Sequence, residues 1–128
     1  MSTIKTETLS TPSNATVPVD TVVNGTAKAW VNFNGTGTVA IRKAFNVSSI
    51  TDNGSGDYSV NFTTAMPDAN YTVCGSAGYG AGGSGRYMSA PTTNGFTADF
   101  LTTSVRVNSV YDYNAPQDCE VVNVAIFS

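Results

Sequence analysis

The 128-residue sequence contains no histidine, two cysteines (Cys74 and Cys119), two leucines (Leu9 and Leu101) and a single tryptophan, Trp30. Without an imidazole titrating near neutrality, a Ser-His-Asp or Cys-His nucleophile has no base, and further copies of the chain cannot supply one. Two cysteines alone cannot build a tetrahedral zinc site. Six basic residues against nine acidic ones leave no cationic excess. Nucleic-acid binding driven by counterion release is therefore not expected, nor is attraction to an anionic membrane surface. The longest unbroken apolar stretch, Val124–Phe127, is far short of the roughly 20 residues that span a bilayer, so no membrane insertion is expected. Met1–Val23 is broken by Thr, Ser, Glu7 and Pro12, unlike the continuous apolar segment of a secretory signal. In a chain with no export signal, Cys74 and Cys119 read as free thiols rather than a bridge. The seven Asn-x-Ser/Thr triplets, from Asn14 to Asn70, then read as a chance product of composition rather than glycosylation acceptors.

What the chain does hold points to sheet. Ile, Leu, Val and Phe make up 27 of 128 residues, fifteen of them valine, and a further eighteen positions are threonine. Branching at Cβ restricts χ1 in a helix and packs well on a pleated surface. The first 25 residues scatter Ile4, Leu9, Val17, Val19, Val22 and Val23 among Thr, Ser and two prolines, without helical spacing. They read as an extended arm that cannot bury its apolar side chains on itself.

From Ala27 the pattern becomes regular. Ala29, Val31 and Phe33 share one strand face, Trp30, Asn32 and Asn34 the other, before a turn at Gly35–Gly37. A second run carries Val39 and Ile41 on one face and Arg42 on the other. It continues to Phe45, Val47 and Ile50, with a bend near Ser48 or Ser49 where the apolar parity changes. Asp52–Asp57, with Asn-Gly and Ser-Gly, is the strongest hairpin signal. It leads to Tyr58, Val60 and Phe62, alternating with polar residues. Met66–Asn70 forms a turn, and Tyr71 and Val73 begin another strand that runs into Cys74. Two more strands are expected around Phe96–Phe100 and Val105–Val107. A C-terminal run, Val121–Ile126, is apolar on both faces and so reads as a central or covered strand. About eight short strands joined by Gly, Asn, Asp and Pro turns predict an all-β chain. The expected fold is an antiparallel β-sandwich, jelly-roll-like or a small barrel, over residues 27–128, with the extended arm over residues 1–26.

Three motifs carry chemistry on paper. Gly75–Gly85 holds six glycines, including Gly78-x-Gly80-x-x-Gly83 and Gly80-x-Gly82-x-x-Gly85. That fingerprint needs a following helix N-terminus, whereas Arg86-Tyr87-Met88 leads toward Pro91, so a surface loop and no nucleotide cofactor are expected. Asp52–Asp57 superficially matches a calcium loop, but glycine stands at the third and fifth positions and a tight turn is the better reading. Asp112, Asp118 and Glu120 are the closest approach to the paired carboxylates of glycoside hydrolysis. Pro116 marks their segment as an ordinary loop with solvated acids, and no enzyme is expected.

Four stretches, Ala27–Gly35, Val39–Arg42, Phe45–Ile50 and Gly56–Phe62, resemble a module of tail fibres and other virion appendage proteins of tailed bacteriophages, notably those infecting aquatic bacteria. The opening Ser2-Thr3-Ile4-Lys5 is similar to the start of such proteins. The resemblance covers roughly residues 1–73. It implies a non-enzymatic structural protein, commonly a homotrimer, assembled in the bacterial cytoplasm and carried on the virion.

The function expected on that basis is a trimeric tail-fibre or appendage component. Its arm joins other virion proteins or intertwines with copies of itself, and its distal loops contact a host-surface glycan. Tyr79, Arg86, Tyr87, Tyr111 and Tyr113 are the receptor-contact candidates, because ring faces pack on sugar C–H groups and planar donors bind hydroxyls and carboxylates. The alternatives are a capsid fibre or head decoration protein and a glycan-degrading appendage using Asp112 with Asp118 or Glu120.

Overall fold

A computed structural model describes residues 2–78, 87–89, 99–111 and 115–128, with the backbone alone at 87–89, 111 and 115. The arm contains a short hairpin, β1 (Thr8–Ser10) and β2 (Thr16–Pro18), and one helix, α1 (Val19–Gly25). Three strands follow in turn: β3 (Ala29–Asn34), β4 (Ala40–Phe45) and β5 (Val47–Gly54). After them come β6 (Asp57–Phe62), β7 (Thr72–Gly78), β8 (Tyr87–Ser89), β9 (Ser104–Tyr111), β10 (Ala115–Pro116) and β11 (Val121–Phe127). One sheet has the order β4-β3-β11-β7. The other has the order β10-β9-β6-β5, with β8 also paired to β9. All pairings are antiparallel. The two sheets pack as a sandwich, and no closed barrel forms among the described residues.

The alternation read from the sequence sets the core. Ala29, Val31, Phe33, Val122, Val124 and Ile126 of one sheet are buried against Tyr58, Val60, Phe62, Val105 and Val107 of the other. Phe33 and Tyr58 meet edge to face across the interface, their ring centroids 5.1 Å apart, an arrangement that suits the ring quadrupoles. The Tyr58 hydroxyl lies 2.9 Å from the Gly35 carbonyl and 3.1 Å from Asp118 Oδ1, and its one proton is shared between them. β11 is central, as its two apolar faces imply, with β3 on one side and β7 on the other.

The run from Val39 to Ile50 is not one bent strand but two strands in different sheets. Asn46 adopts a positive φ of 52° between β4 and β5, a conformation that asparagine tolerates. Its side chain fixes the crossover, donating to the carbonyls of Lys28 at 3.0 Å and Thr64 at 3.1 Å while accepting from the Thr64 N–H at 2.7 Å. The expected irregularity near Ser48 is present as a register shift between Val47 and Ser49. The hairpin at Asp52–Asp57 also forms, with Gly56 in the left-handed region at φ 64°.

Two further readings need correction. Gly75–Gly78 do not open a loop; they continue β7, pairing Gly75 with Val124 and Gly78 with Val121. Lying on an edge strand, they take one regular ladder, which offsets the entropic cost of glycine in a strand. Residues 79–86 lie outside the described residues. The arm, too, is not uniformly extended. Asn14, at φ 63°, closes the turn between β1 and β2, and Pro18 presets the backbone entering α1, whose first turn holds Asp20. Of the strand expected at Phe96–Phe100, residues 96–98 lie outside the described residues, and Phe100 makes a bridge to Val105.

Candidate functional site

Strand alternation that buries Val31 and Phe33 turns Trp30 and Asn32 to the outer face of the four-stranded sheet. The register then builds two rows across that face. Phe45, Trp30, Ala125 and Cys74 lie side by side, as do Lys43, Asn32, Asn123 and Ser76. The first row is apolar, with Trp30 36% and Phe45 55% exposed. The second is a hydrogen-bonded ladder in which Asn32 Nδ2 donates to Asn123 Oδ1 at 2.6 Å and Asn123 Nδ2 donates to Ser76 Oγ at 3.2 Å.

Between these rows lies a groove of about 540 Å³ lined by Trp30, Asn32, Cys74, Ser76, Asn123 and Ala125, among others. The groove exists because the central strand offers only Ala125 between the indole and β7.

The outer face of the other sheet is polar and largely self-satisfied. Arg106 donates through Nε to Asp57 Oδ1 at 2.8 Å and through Nη2 to Asp57 Oδ2 at 2.5 Å. These bonds hold the Asp57 carboxyl below the usual carboxylate range and raise the Arg106 guanidinium. Asn61 donates to the hydroxyls of Ser49 and Thr51, and Asn53 to that of Ser59. A smaller cavity of about 240 Å³ beside Arg106 is lined by Ser59, Leu101, Ser104 and Asp99. Asp99 is 1% exposed, with its Oδ1 3.8 Å from Arg106 Nη1. Among the described residues neither of its carboxylate oxygens has a hydrogen-bond partner, and both are sealed from solvent. Asp99 thus acts on Arg106 through charge rather than through a hydrogen bond.

Of the receptor-contact candidates, Tyr79, Arg86 and Tyr113 lie outside the described residues. Tyr87 and Tyr111 are placed by backbone only: Tyr87 pairs with Val110 on β9 and Tyr111 with Ala115 on β10, so both sit at one end of the five-stranded sheet. Asp112 is also outside the described residues. Asp118, half-buried, accepts from the Gly56 N–H at 2.7 Å and the Tyr58 hydroxyl, which occupies Oδ1 in holding the hairpin to the loop before β11. Glu120 is exposed. Burial pushes Tyr58 well above the ordinary tyrosine value, and it pushes Tyr71 up to about 12. Cys74 and Cys119 are both free, the first exposed on β7 and the second buried. Among the described residues, no group of three or more His, Cys, Asp or Glu side chains is placed to hold a metal ion. No helix among them is long and apolar enough to cross a membrane.

The Trp30 groove was only half visible in the sequence. An aromatic residue at the solvent-side parity of a half-buried strand is a signal. The pairing of β3 with β11, 91 residues apart in the ladder from Asn32 to Asn123, is not. Searches against protein-family models, curated proteins and solved structures find no match to the chain.

Proposed function

We propose that the chain is a structural component of a bacteriophage particle, a homotrimeric tail-fibre or appendage protein that works by assembly and glycan contact rather than turnover. The virion assignment comes from the resemblance carried by Ala27–Gly35 and the strands after it. The single structural observation that supports assembly is the arm. No residue from Ser2 to Lys28 is buried, and Ile4 is 91%, Leu9 48% and Val23 51% exposed. The hydrogen bonds of the arm are mostly local, such as Val19 N–H to the Glu7 carbonyl at 2.9 Å and Lys28 Nζ to the Val23 carbonyl. A segment ordered without burial carries the full entropic cost of its order, and covering those side chains on another chain offsets that cost.

The direct test is sedimentation of the intact protein beside a variant lacking residues 1–25. A trimer that dissociates on deletion supports the reading; a monomer at micromolar concentration in both refutes it. Labelling on intact particles separates the tail from the head, and signal confined to the head would favour the capsid-fibre alternative.

A further inference from the structure

We infer that the groove beside Trp30 on the outer face of the four-stranded sheet is a binding site for a neutral glycan. This rests on the reading of the protein as a glycan-contacting appendage, and it moves the contact from the distal loops to a sheet face. The chemistry of the ligand follows from the open valences of the lining. Asn32 gives one amide hydrogen to Asn123, and Asn123 gives one to Ser76. Each amide therefore keeps a second N–H, Asn32 keeps its carbonyl oxygen, and the Ser76 hydroxyl keeps its proton. Open donors and an open acceptor thus lie along one line, which suits adjacent hydroxyls, since each hydroxyl both donates and accepts.

The indole of Trp30 stands beside that line with its ring partly exposed, and an aromatic face packs against the C–H side of a pyranose. The described residues lining the groove include no carboxylate, ammonium or guanidinium, and Lys43, next to Asn32 in the row, is outside that lining, so the groove itself is built for a neutral ligand. A volume of about 540 Å³ falls in the range of small-molecule sites. A ligand there satisfies the amides and the ring together, which neither a hydrocarbon nor an ion does.

Trp30 is the only tryptophan, so its fluorescence reports on the groove without a label. Glucose, galactose, N-acetylglucosamine and their β-linked disaccharides, each titrated into the full-length protein, are expected to shift the emission and to protect it from acrylamide, with millimolar affinity for at least one of them. Ser76→Val, on an edge strand that tolerates a branched side chain, is expected to weaken that sugar by about fivefold to tenfold, the equivalent of one lost hydrogen bond. Its melting temperature should be unchanged. Ser76→Thr, which keeps the hydroxyl, is expected to restore binding.

Emission that ignores every sugar in the panel overturns the inference. Galacturonic acid is titrated beside the panel, and a response to it alone overturns the neutral-ligand assignment, while a blue shift that follows protein concentration rather than sugar overturns the glycan site in favour of an interface between copies. A trimer blind to sugars sinks the groove alone; sugar binding by a monomer sinks the trimer alone.

Discussion

Adding one methyl group at Gly56 should be among the most damaging changes this fold can receive. A Cβ there would lie 2.3 Å from Gln117 N and 2.5 Å from Ser109 O, both backbone atoms, and the residue sits at φ 64°. An L-residue in the left-handed region costs about 1–2 kcal/mol. The clash falls on a hydrogen-bonded knot. Ser109 N–H donates to the Gly56 carbonyl at 2.8 Å, Gln117 N–H to the Ser109 carbonyl at 2.9 Å, and Gly56 N–H to Asp118 Oδ1 at 2.7 Å. Opening one or two of these buried contacts costs about 1–3 kcal/mol each. Gly56→Ala should therefore lose about 3–6 kcal/mol, much of the total stability of an ordinary domain. Gly37 is the control, because its φ of 61° is almost the same and nothing lies within 4 Å of its would-be Cβ. Gly37→Ala should lose only the conformational part, about 1–2 kcal/mol. Urea unfolding and thermal melting measure both, with roughly 3–6 °C per kcal/mol expected for a domain of this size. Equal losses in the two variants would show that the 115–118 segment does not close on the hairpin, and the account of the loop before β11 would fail.

Arg106→Ala should destabilise by about 2–4 kcal/mol, because it strips the bidentate partner from Asp57 and leaves buried Asp99 without a countercharge. The lowered Asp57 pKa means that the stabilisation by the pair is complete above the unfolded carboxyl value, near pH 4, and fades as the pH falls through the folded value. Asp57→Asn should accordingly flatten the acid limb of a stability–pH curve, and an unchanged limb would refute the assignment. Asp118→Ala should cost about 1–3 kcal/mol by releasing the Gly56 and Tyr58 donors. Loss of polysaccharide cleavage with no loss of stability would instead revive the glycan-degrading alternative. Deleting residues 1–25 should leave the melting temperature of the sandwich within a few degrees, since none of the described residues 2–25 is buried, while abolishing the oligomer seen by sedimentation.

Strand faces were legible wherever a half-buried strand alternates. Val31 and Phe33, Tyr58 and Val60, and Val105 and Val107 all face inward as their parity requires. What could not be read was anything decided by backbone placement. Asn46 looks like any turn asparagine, yet it transfers the chain between sheets by binding Lys28 and Thr64 at once. Gly75 and Gly78 carry turn propensity, and the ladder with β11 overrides it. The short helix α1 has no buried face to impose a period, so no hydrophobic pattern could announce it.

The two outer faces differ in how much hydrogen-bonding capacity they leave open to a ligand. On the five-stranded sheet, Arg106 with Asp57, Asn61 with Ser49 and Thr51, and Asn53 with Ser59 satisfy one another, so a ligand meeting those groups must displace bonds already made, while the unpartnered oxygens of Asp99 and Asn108 are sealed from solvent. On the four-stranded sheet the Asn32–Asn123–Ser76 ladder uses only part of its capacity and stands beside an indole that no neighbouring ring covers: Phe33–Tyr58, Phe62–Tyr71 and Tyr71–Phe100 are the ring pairs among the described residues. Replacing Ala125 at the bottom of the groove with valine tests this asymmetry. Valine suits a central strand, so the fold should hold, while its added methyls raise the floor beside the indole and should weaken the sugar-dependent change in Trp30 emission. Undiminished binding in Ala125→Val would place the contact elsewhere on the molecule.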